Sequence, residues 1–196
     1  MVTPSLQAAT WERMIRAVEK VRERCDRATK ALDAAGLDYA VVGGHAVANW
    51  VASVDETLVR NTRDVDILVR RTDLDAVKRA MDAIGYDFAE TSNVSLFFER
   101  PNGKPSEGIH LLFSGEKVKA ADPVPAPDVT ESERGAAFRV LSLEALVRMK
   151  LVANRDKDRT HIRDLIGVGL IDASWPEKFP DVLGERLRGI LANPDG

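Results

Sequence analysis

Two aspartates separated by one residue offer the most reactive pattern in this sequence. Asp64 and Asp66 open a run that continues Ile67-Leu68-Val69, an apolar stretch typical of a buried strand. Side chains two apart on a strand point to the same face, so the two carboxylates converge. At a separation of about 4 to 5 Å they repel by about 3 to 4 kcal/mol at an effective dielectric near 20. A divalent cation such as Mg²⁺, shared with the phosphates of a nucleoside triphosphate (NTP), would compensate that repulsion. Taken alone, the pattern also fits one aspartate that caps a turn and one that is solvated.

A glycine pair precedes the aspartates and offers a complementary feature. Gly43 and Gly44 follow a predicted short strand over residues 38–42 and come before a helix-like run over residues 45–54. Without side chains, the backbone N–H groups of such a turn can approach a phosphate closely. An ordinary turn is the alternative for an isolated Gly-Gly.

Together these residues resemble a known family. Val42-Gly43-Gly44-His45-Ala46 and the later Arg60-Asn61-Thr62-Arg63-Asp64-Val65-Asp66 are similar to the signature of DNA polymerase beta-type nucleotidyltransferases, in particular the small bacterial branch similar to AbiEii toxins. The resemblance spans roughly residues 37–172. It implies an α/β (α+β) fold with a short mixed sheet flanked by helices. It also implies that Gly43, Gly44 and Thr62 bind the nucleotide, and that Asp64 and Asp66 are catalytic and hold two divalent ions.

A cationic stretch near the C-terminus extends the resemblance. Four residues fall on one helical face at spacings of four, three and four: Lys150, Asn154, Lys157 and His161. This row could meet a phosphate or an RNA backbone, and the resemblance places Lys150 and Lys157 among the nucleotide-binding residues. By periodicity alone, the alternative is a solvated face in which Arg155, Lys157 and Asp158 pair locally.

One position departs from the family pattern. Where the family usually places a third carboxylate on a later strand, the run Gly108-Ile109-His110 places His110, which we assign as the third metal ligand. Imidazole suits zinc, manganese or copper better than magnesium, and it removes a negative charge beside the cation. Three interpretations remain open: a site retuned toward another metal, a third acid supplied by Glu107 or Glu116, or a site without catalysis.

The remaining elements position these residues. We predict an amphipathic N-terminal helix packed on the core (1–36), a nucleotidyltransferase-like α/β core (37–141) and a helical C-terminal region (142–196). Within the core, strands over residues 94–98 and 109–113 form an antiparallel pair, and the segment 121–128, with three alternating prolines, is a connector. Ser142 is expected to cap the helix that carries Lys150.

Composition limits the class of protein. The chain is 44% hydrophobic and 30% charged, with a net charge of −3, which is typical of a soluble, cytoplasmic, folded protein without an overall positive field or a membrane span. The only cysteine, Cys25, suggests a buried structural thiol.

The resemblance implies a Mg²⁺-dependent enzyme, with Mn²⁺ as the other candidate, that transfers a nucleoside monophosphate from an NTP to a hydroxyl of RNA, tRNA or protein. It also implies a toxin-antitoxin setting with a cognate antitoxin. The alternative is a degenerate nucleotide-binding or protein-interaction module of the same fold.

Overall fold

The fold is a mixed sheet between two helical layers. The structure is a computed structural model that describes residues 11–91 and 94–193. Its helices are α1 (Trp11–Ala34), α2 (Gly43–Ala52), α3 (Leu74–Ala83), α4 (Leu143–Ala153), α5 (Asp156–Gly167) and α6 (Asp181–Leu191). Its strands are β1 (Tyr39–Val42), β2 (Val65–Val69), β3 (Tyr86–Glu90), β4 (Ser95–Glu99), β5 (Ile109–Phe113), β6 (Ser132–Arg134) and β7 (Arg139–Leu141). No helix in these ranges is long and apolar enough to span a bilayer.

The strands run in the order β3-β4-β5-β2-β1-β7-β6. β2 pairs in parallel with β5, and β1 in parallel with β7, whereas the other neighbours are antiparallel. The predicted mixed sheet and the antiparallel pairing of β4 with β5 are therefore confirmed. β3 and β6 were not predicted, and the short β6 adds a strand beyond β7 at one edge of the sheet.

The alternation of side chains along β2 determines which face of the sheet carries Asp66. Ile67 packs into the core that α1 and α3 cover, while Leu68 packs into the core beneath α2 and α4 to α6. Asp66 is one residue from Ile67 and therefore lies on the side of Leu68. In the parallel register, Asp66 stands directly opposite His110 of β5, so the two side chains share that face.

The N-terminal helix packs on the sheet in its second half only. Cys25 and Leu32 are each 1% exposed, whereas Trp11 is 79% exposed and Met14 and Ile15 are each 53% exposed. The expectation that the whole apolar stripe packs on the core is therefore wrong for the first turns of α1, and residues 1–10 lie outside the described ranges. Burial raises the pKa of the Cys25 thiol to about 12, which keeps it protonated and supports a structural role.

Candidate active site

One cavity of about 590 Å³ gathers the eight residues assigned to the site from the sequence. It lies between the glycine turn, the start of β2, helices α4 and α5, and a loop over residues 118–126. The predicted site residues that line it are Gly43, Gly44, Thr62, Asp64, Asp66, His110, Lys150 and Lys157. A concave site with convergent charged groups is the usual form of a small-molecule binding site.

The two aspartates face the cavity, each beside a cationic or ionisable partner. Asp64 immediately precedes β2, and its Oδ2 lies 3.7 Å from Nζ of Lys157. Oδ1 of Asp66 lies 3.5 Å from Nδ1 of His110, and the hydrogen bond to Asp66 raises the pKa of His110. Both carboxylates are partly exposed, with 44% and 24% of their side chains accessible. The predicted convergence of Asp64 and Asp66 on one cavity is thus observed, although their roles remain predictions.

The glycine turn packs directly on this acidic pair. Gly43 begins α2 with φ +67°, a left-handed conformation that favours glycine, and a Cβ there would collide with the carboxylate of Asp66. A Cβ on Gly44 would lie 2.7 Å from Oγ1 of Thr62. Helix α2 has no side-chain cap at its N-terminus. Its first N–H groups can therefore bind an anion next to the carboxylates.

Replacement of Gly43 should disturb the site and the fold together. We expect Gly43→Ala to lower the free energy of unfolding by about 1–2 kcal/mol, because a left-handed conformation costs that much for a residue with a Cβ. We also expect nucleotide binding to weaken, because Asp66 must move. Chemical denaturation and calorimetric titration with an NTP would measure both. Gly167→Ala is the matched control, since a Cβ there meets nothing within 4 Å. An unchanged NTP affinity in Gly43→Ala would remove this turn from the nucleotide site.

The prediction that Lys150, Asn154, Lys157 and His161 lie on one face of a single helix is wrong. Asn154 adopts φ +46°, ends α4 and separates Lys150 on α4 from Lys157 and His161 on α5. The folded-back arrangement still brings Lys150, Lys157 and His161 to the cavity, whereas Asn154 does not line it. A left-handed asparagine is locally permitted and leaves no clear signal in helical periodicity.

Lys150 is held by a buried carboxylate. Its side chain is 7% exposed, and Nζ lies 3.0 Å from Oδ1 of Asp158, which is completely buried. Nε of Arg155 donates to the other oxygen of Asp158 at 2.6 Å. Burial lowers the pKa of Lys150. Burial alone would raise the pKa of Asp158, but the hydrogen bond from Arg155 and the charge of Lys150 hold it below its usual range. The alternative of local pairing is therefore correct for Arg155 and Asp158, while Lys157 turns to Asp64.

The two glutamates considered as an alternative third carboxylate lie outside the cavity. Glu107 is 3.9 Å from Arg24, and Glu116 receives two hydrogen bonds from Arg71. Neither lines the cavity. Within residues 11–91 and 94–193, no three or more His, Cys, Asp or Glu side chains are close enough together to hold a metal ion. Of the residues considered as metal ligands from the sequence, Asp64, Asp66 and His110 line the cavity, whereas Glu107 and Glu116 do not.

His161 adds a neutral polar group to the α5 wall. Burial lowers its pKa to about 4, so the imidazole is uncharged near neutral pH. Its Nδ1 has no hydrogen-bond partner in the part of the chain that the structure describes. This nitrogen is buried, so the side chain as it stands does not present it to a ligand in the cavity.

Sequence reasoning missed one wall of the cavity. The segment predicted to be a connector, 121–128, contributes Asp122 and the stretch 124–126, and Val118 and Lys119 just before it also line the cavity. Backbone hydrogen bonds at its base join Gly115 N to Ala126 O at 3.1 Å and Ala126 N to Glu116 O at 2.8 Å. The alternating prolines indicated a stiff segment, but only tertiary packing places it beside the cavity. Arg63 also lines the cavity, and in the sequence it was noted only as part of a motif.

Solved structures identify the fold. A nucleotidyltransferase-like antigenic protein from Paracoccidioides brasiliensis is 19% identical and matches 90% of this chain and 90% of its own, with a TM-score of 0.57. JHP933 from Helicobacter pylori is 19% identical over 94% of this chain and 76% of its own, with a TM-score of 0.52. The antibiotic-resistance factor ANT(2'')-Ia is 15% identical over 93% of this chain and 95% of its own, also at 0.52. The protein therefore has a nucleotidyltransferase fold.

The sequence narrows this class to a family. The family described as "Nucleotidyl transferase AbiEii toxin, Type IV TA system" matches residues 30–178. The chain therefore belongs to the AbiEii nucleotidyltransferase family, as its motifs indicated. No curated protein matches it.

Proposed function

We propose that this protein transfers a nucleoside monophosphate from an NTP to an acceptor hydroxyl and releases pyrophosphate. The observation that carries the proposal is the single cavity in which the glycine turn, the Asp64-Asp66 pair and cations from α4 and α5 meet. The AbiEii family supports transferase chemistry and a Type IV toxin-antitoxin setting. By that analogy the acceptor belongs to an RNA such as tRNA or to a protein, and a cognate antitoxin opposes the activity.

The cavity provides a separate group for each part of the substrate. The N-terminus of α2 at Gly43 and Gly44, with Thr62 beside it, binds the triphosphate. Lys157 and Lys150 balance its negative charge from α5 and α4. The acceptor oxygen then attacks the α-phosphorus, the bond to the bridging oxygen breaks, and pyrophosphate leaves. The proton of the hydroxyl passes to a carboxylate at the site. Catalysis of this kind depends on positioning and charge neutralisation.

Asp64 and Asp66 fit a magnesium-dependent site. Mg²⁺ is commonly bound by one or two carboxylates together with substrate phosphates, so it does not need a cage made only of protein ligands. When bound, it would neutralise charge on the transferring phosphate. His110, whose Nδ1 lies 3.5 Å from Asp66, would supply a nitrogen ligand that suits Mn²⁺ once these side chains close on a cation.

Label transfer tests the proposal. We would incubate the protein with each α-labelled NTP, with Mg²⁺ or Mn²⁺, and with total RNA or cell protein, and look for labelled acceptor. The double variant Asp64→Asn/Asp66→Asn should lose transfer by at least about 10²- to 10³-fold, the usual cost of removing charge stabilisation at a reacting centre. Asp75→Asn is the control for loss of a carboxylate elsewhere, because Asp75 is an exposed residue of α3 outside the cavity. Equal transfer by the double variant and the control would refute the assignment.

A non-catalytic module of the same fold is the second candidate. It is favoured by the pairing of Asp64 with Lys157 and of Asp66 with His110, which compensates both carboxylates within the protein. The module would bind NTP without metal and would show no label transfer with any nucleotide. Titration of NTP in the presence of a chelator separates the two functions, since the enzyme should bind NTP more tightly when Mg²⁺ or Mn²⁺ is restored.

A further inference from the structure

A second cavity continues from the first and is lined by a different set of groups. It has a volume of about 410 Å³ and lies where β4 begins and β5 ends. The two cavities share Val94, Leu111, Leu112, Val118 and Lys119 as lining residues. Val94 and Val118 are 40% and 65% exposed. A ligand bound in one cavity can therefore extend over these apolar side chains into the other.

A planar guanidinium group, that of Arg71, lines this second cavity. The Cζ atom of Arg71 lies 3.5 Å from the centroid of the Phe113 ring, a stacked arrangement. The edge of the guanidinium is occupied: Nε and Nη2 donate to the two oxygens of Glu116 at 2.6 and 2.8 Å, and Nη1 donates to Glu90 at 3.4 Å. Since 48% of the Arg71 side chain remains exposed, the face away from Phe113 is available to a ligand. A planar ring stacked on that face is the ligand that suits it.

Along the two cavities, cations without an ion-pair partner outnumber carboxylates in the same condition, of which Asp122 in the first cavity is the one among the described residues. Arg63 lines the first cavity, Lys117 the second and Lys119 both. None of the three makes a side-chain ion pair within the described ranges, while Glu90 and Glu116 are already bound to Arg71. The protein as a whole is acidic, with a net charge of −3. The surface along the two cavities therefore favours an anionic ligand, and it leaves no free carboxylate in the second cavity for a basic peptide.

We infer that the second cavity binds a single-stranded segment of a nucleic-acid acceptor. One base stacks on the guanidinium of Arg71, and the adjacent phosphates contact Lys117 and Lys119. The terminal nucleotide then passes over Val94 and Val118, and its hydroxyl reaches Asp64 and Asp66. This inference rests on the proposed function, to which it adds the class of acceptor. Stacking and phosphate contacts do not distinguish ribose from deoxyribose, so RNA and DNA share this binding chemistry.

Oligonucleotide binding without NTP or metal tests the site independently of transfer. Fluorescence anisotropy would follow labelled single strands of about eight nucleotides, RNA and DNA in parallel, within the range bound by single-strand sites. Arg71→Lys keeps the positive charge but removes the planar guanidinium group on which a base would stack. It should weaken oligonucleotide binding by on the order of tenfold with an unchanged salt dependence. Lys117→Ala/Lys119→Ala should flatten the slope of log K against log salt concentration by about 1.4, since each phosphate contact to a single strand contributes about 0.7.

The control and the opposing outcomes are specific. Lys30→Ala/Lys104→Ala removes two exposed cations that line neither cavity, and it should bind like the wild type. The inference is overturned if the wild type binds neither RNA nor DNA, or if Lys117→Ala/Lys119→Ala and Lys30→Ala/Lys104→Ala show the same salt dependence. It is also overturned if polyglutamate of equal charge competes for the site as well as the oligonucleotide does. If oligonucleotides bind as expected but no label is transferred, the proposed function fails while the binding site stands. Asp64→Asn/Asp66→Asn should retain oligonucleotide binding, so the two failures can be told apart.

Discussion

His110→Asp should lower the Mg²⁺ concentration needed for half-maximal NTP binding by about tenfold or more. His110 stands opposite Asp66 in the parallel register and lines the same cavity. A carboxylate about 4 Å from a dication gains about 8 kcal/mol at an effective dielectric near 20. Repulsion among the carboxylates acts with and without the cation, so it lowers stability rather than cation affinity, while solvent at these partly exposed positions screens most of the attraction. A surplus of about 1.4 kcal/mol is enough for the tenfold effect.

His110→Asn is the matched control for this change. It also removes the imidazole that contacts Asp66, but it adds no charge. Calorimetric titration of an NTP at a series of Mg²⁺ concentrations would compare the two variants with the wild type. A shift in both variants would assign the effect to release of Asp66 from His110 rather than to a new ligand. Equal Mg²⁺ dependence in all three proteins would remove position 110 from the metal site.

The sequence predicted the site well where the relevant geometry is local. The spacing of Asp64 and Asp66 on a strand sets their common face, and the glycine pair could be placed from the strand and helix on either side of it. The position of His110 beside them depended on the family resemblance. Strand register between distant segments is set by packing, and the residues of β5 alone do not reveal which residue of β2 they oppose.

The parts that sequence did not predict depend on tertiary packing. The reversal at Asn154 splits one predicted helical face into two helices, and only the folded arrangement returns Lys150 and Lys157 to one cavity. The wall near Asp122 comes from a segment whose prolines indicated only that it is not a regular element. The stacking of Arg71 on Phe113 joins residues from separate parts of the chain, and composition gives no signal for it.

Loss of the buried carboxylate of Asp158 should produce the largest change in stability. Asp158→Ala leaves Lys150 buried without its partner, and breaking a buried ion pair from one side typically costs about 3–5 kcal/mol. Lys150→Met should cost less, because Asp158 still receives hydrogen bonds from Arg155. Chemical denaturation of each variant would measure the difference in the free energy of unfolding.

Replacement of both partners separates stability from function. In Lys150→Met/Asp158→Leu no buried charge is left alone, and Arg155, whose side chain is 55% exposed, can turn to solvent. We expect this double variant to recover much of the stability lost in Asp158→Ala, because apolar replacement of a buried pair is often close to neutral. We expect the NTP affinity of this double variant to be lower than that of the wild type, because the cation from α4 is gone.

The pH dependence of unfolding gives a further check on this ion pair. The pKa of Asp158 is lowered in the folded protein, so its contribution to stability is complete above the unfolded value of about 3.9 and is lost as the pH falls through the lower folded value. Stability of the double variant should therefore fall less steeply in acid than that of the wild type. A double variant as unstable as Asp158→Ala would show that loss of the pair itself, rather than an unpaired Lys150, destabilises the protein. The same acid slope in both proteins would show that the pair does not hold α4 to α5. In that case Lys150 would have to be positioned by the surrounding apolar packing instead.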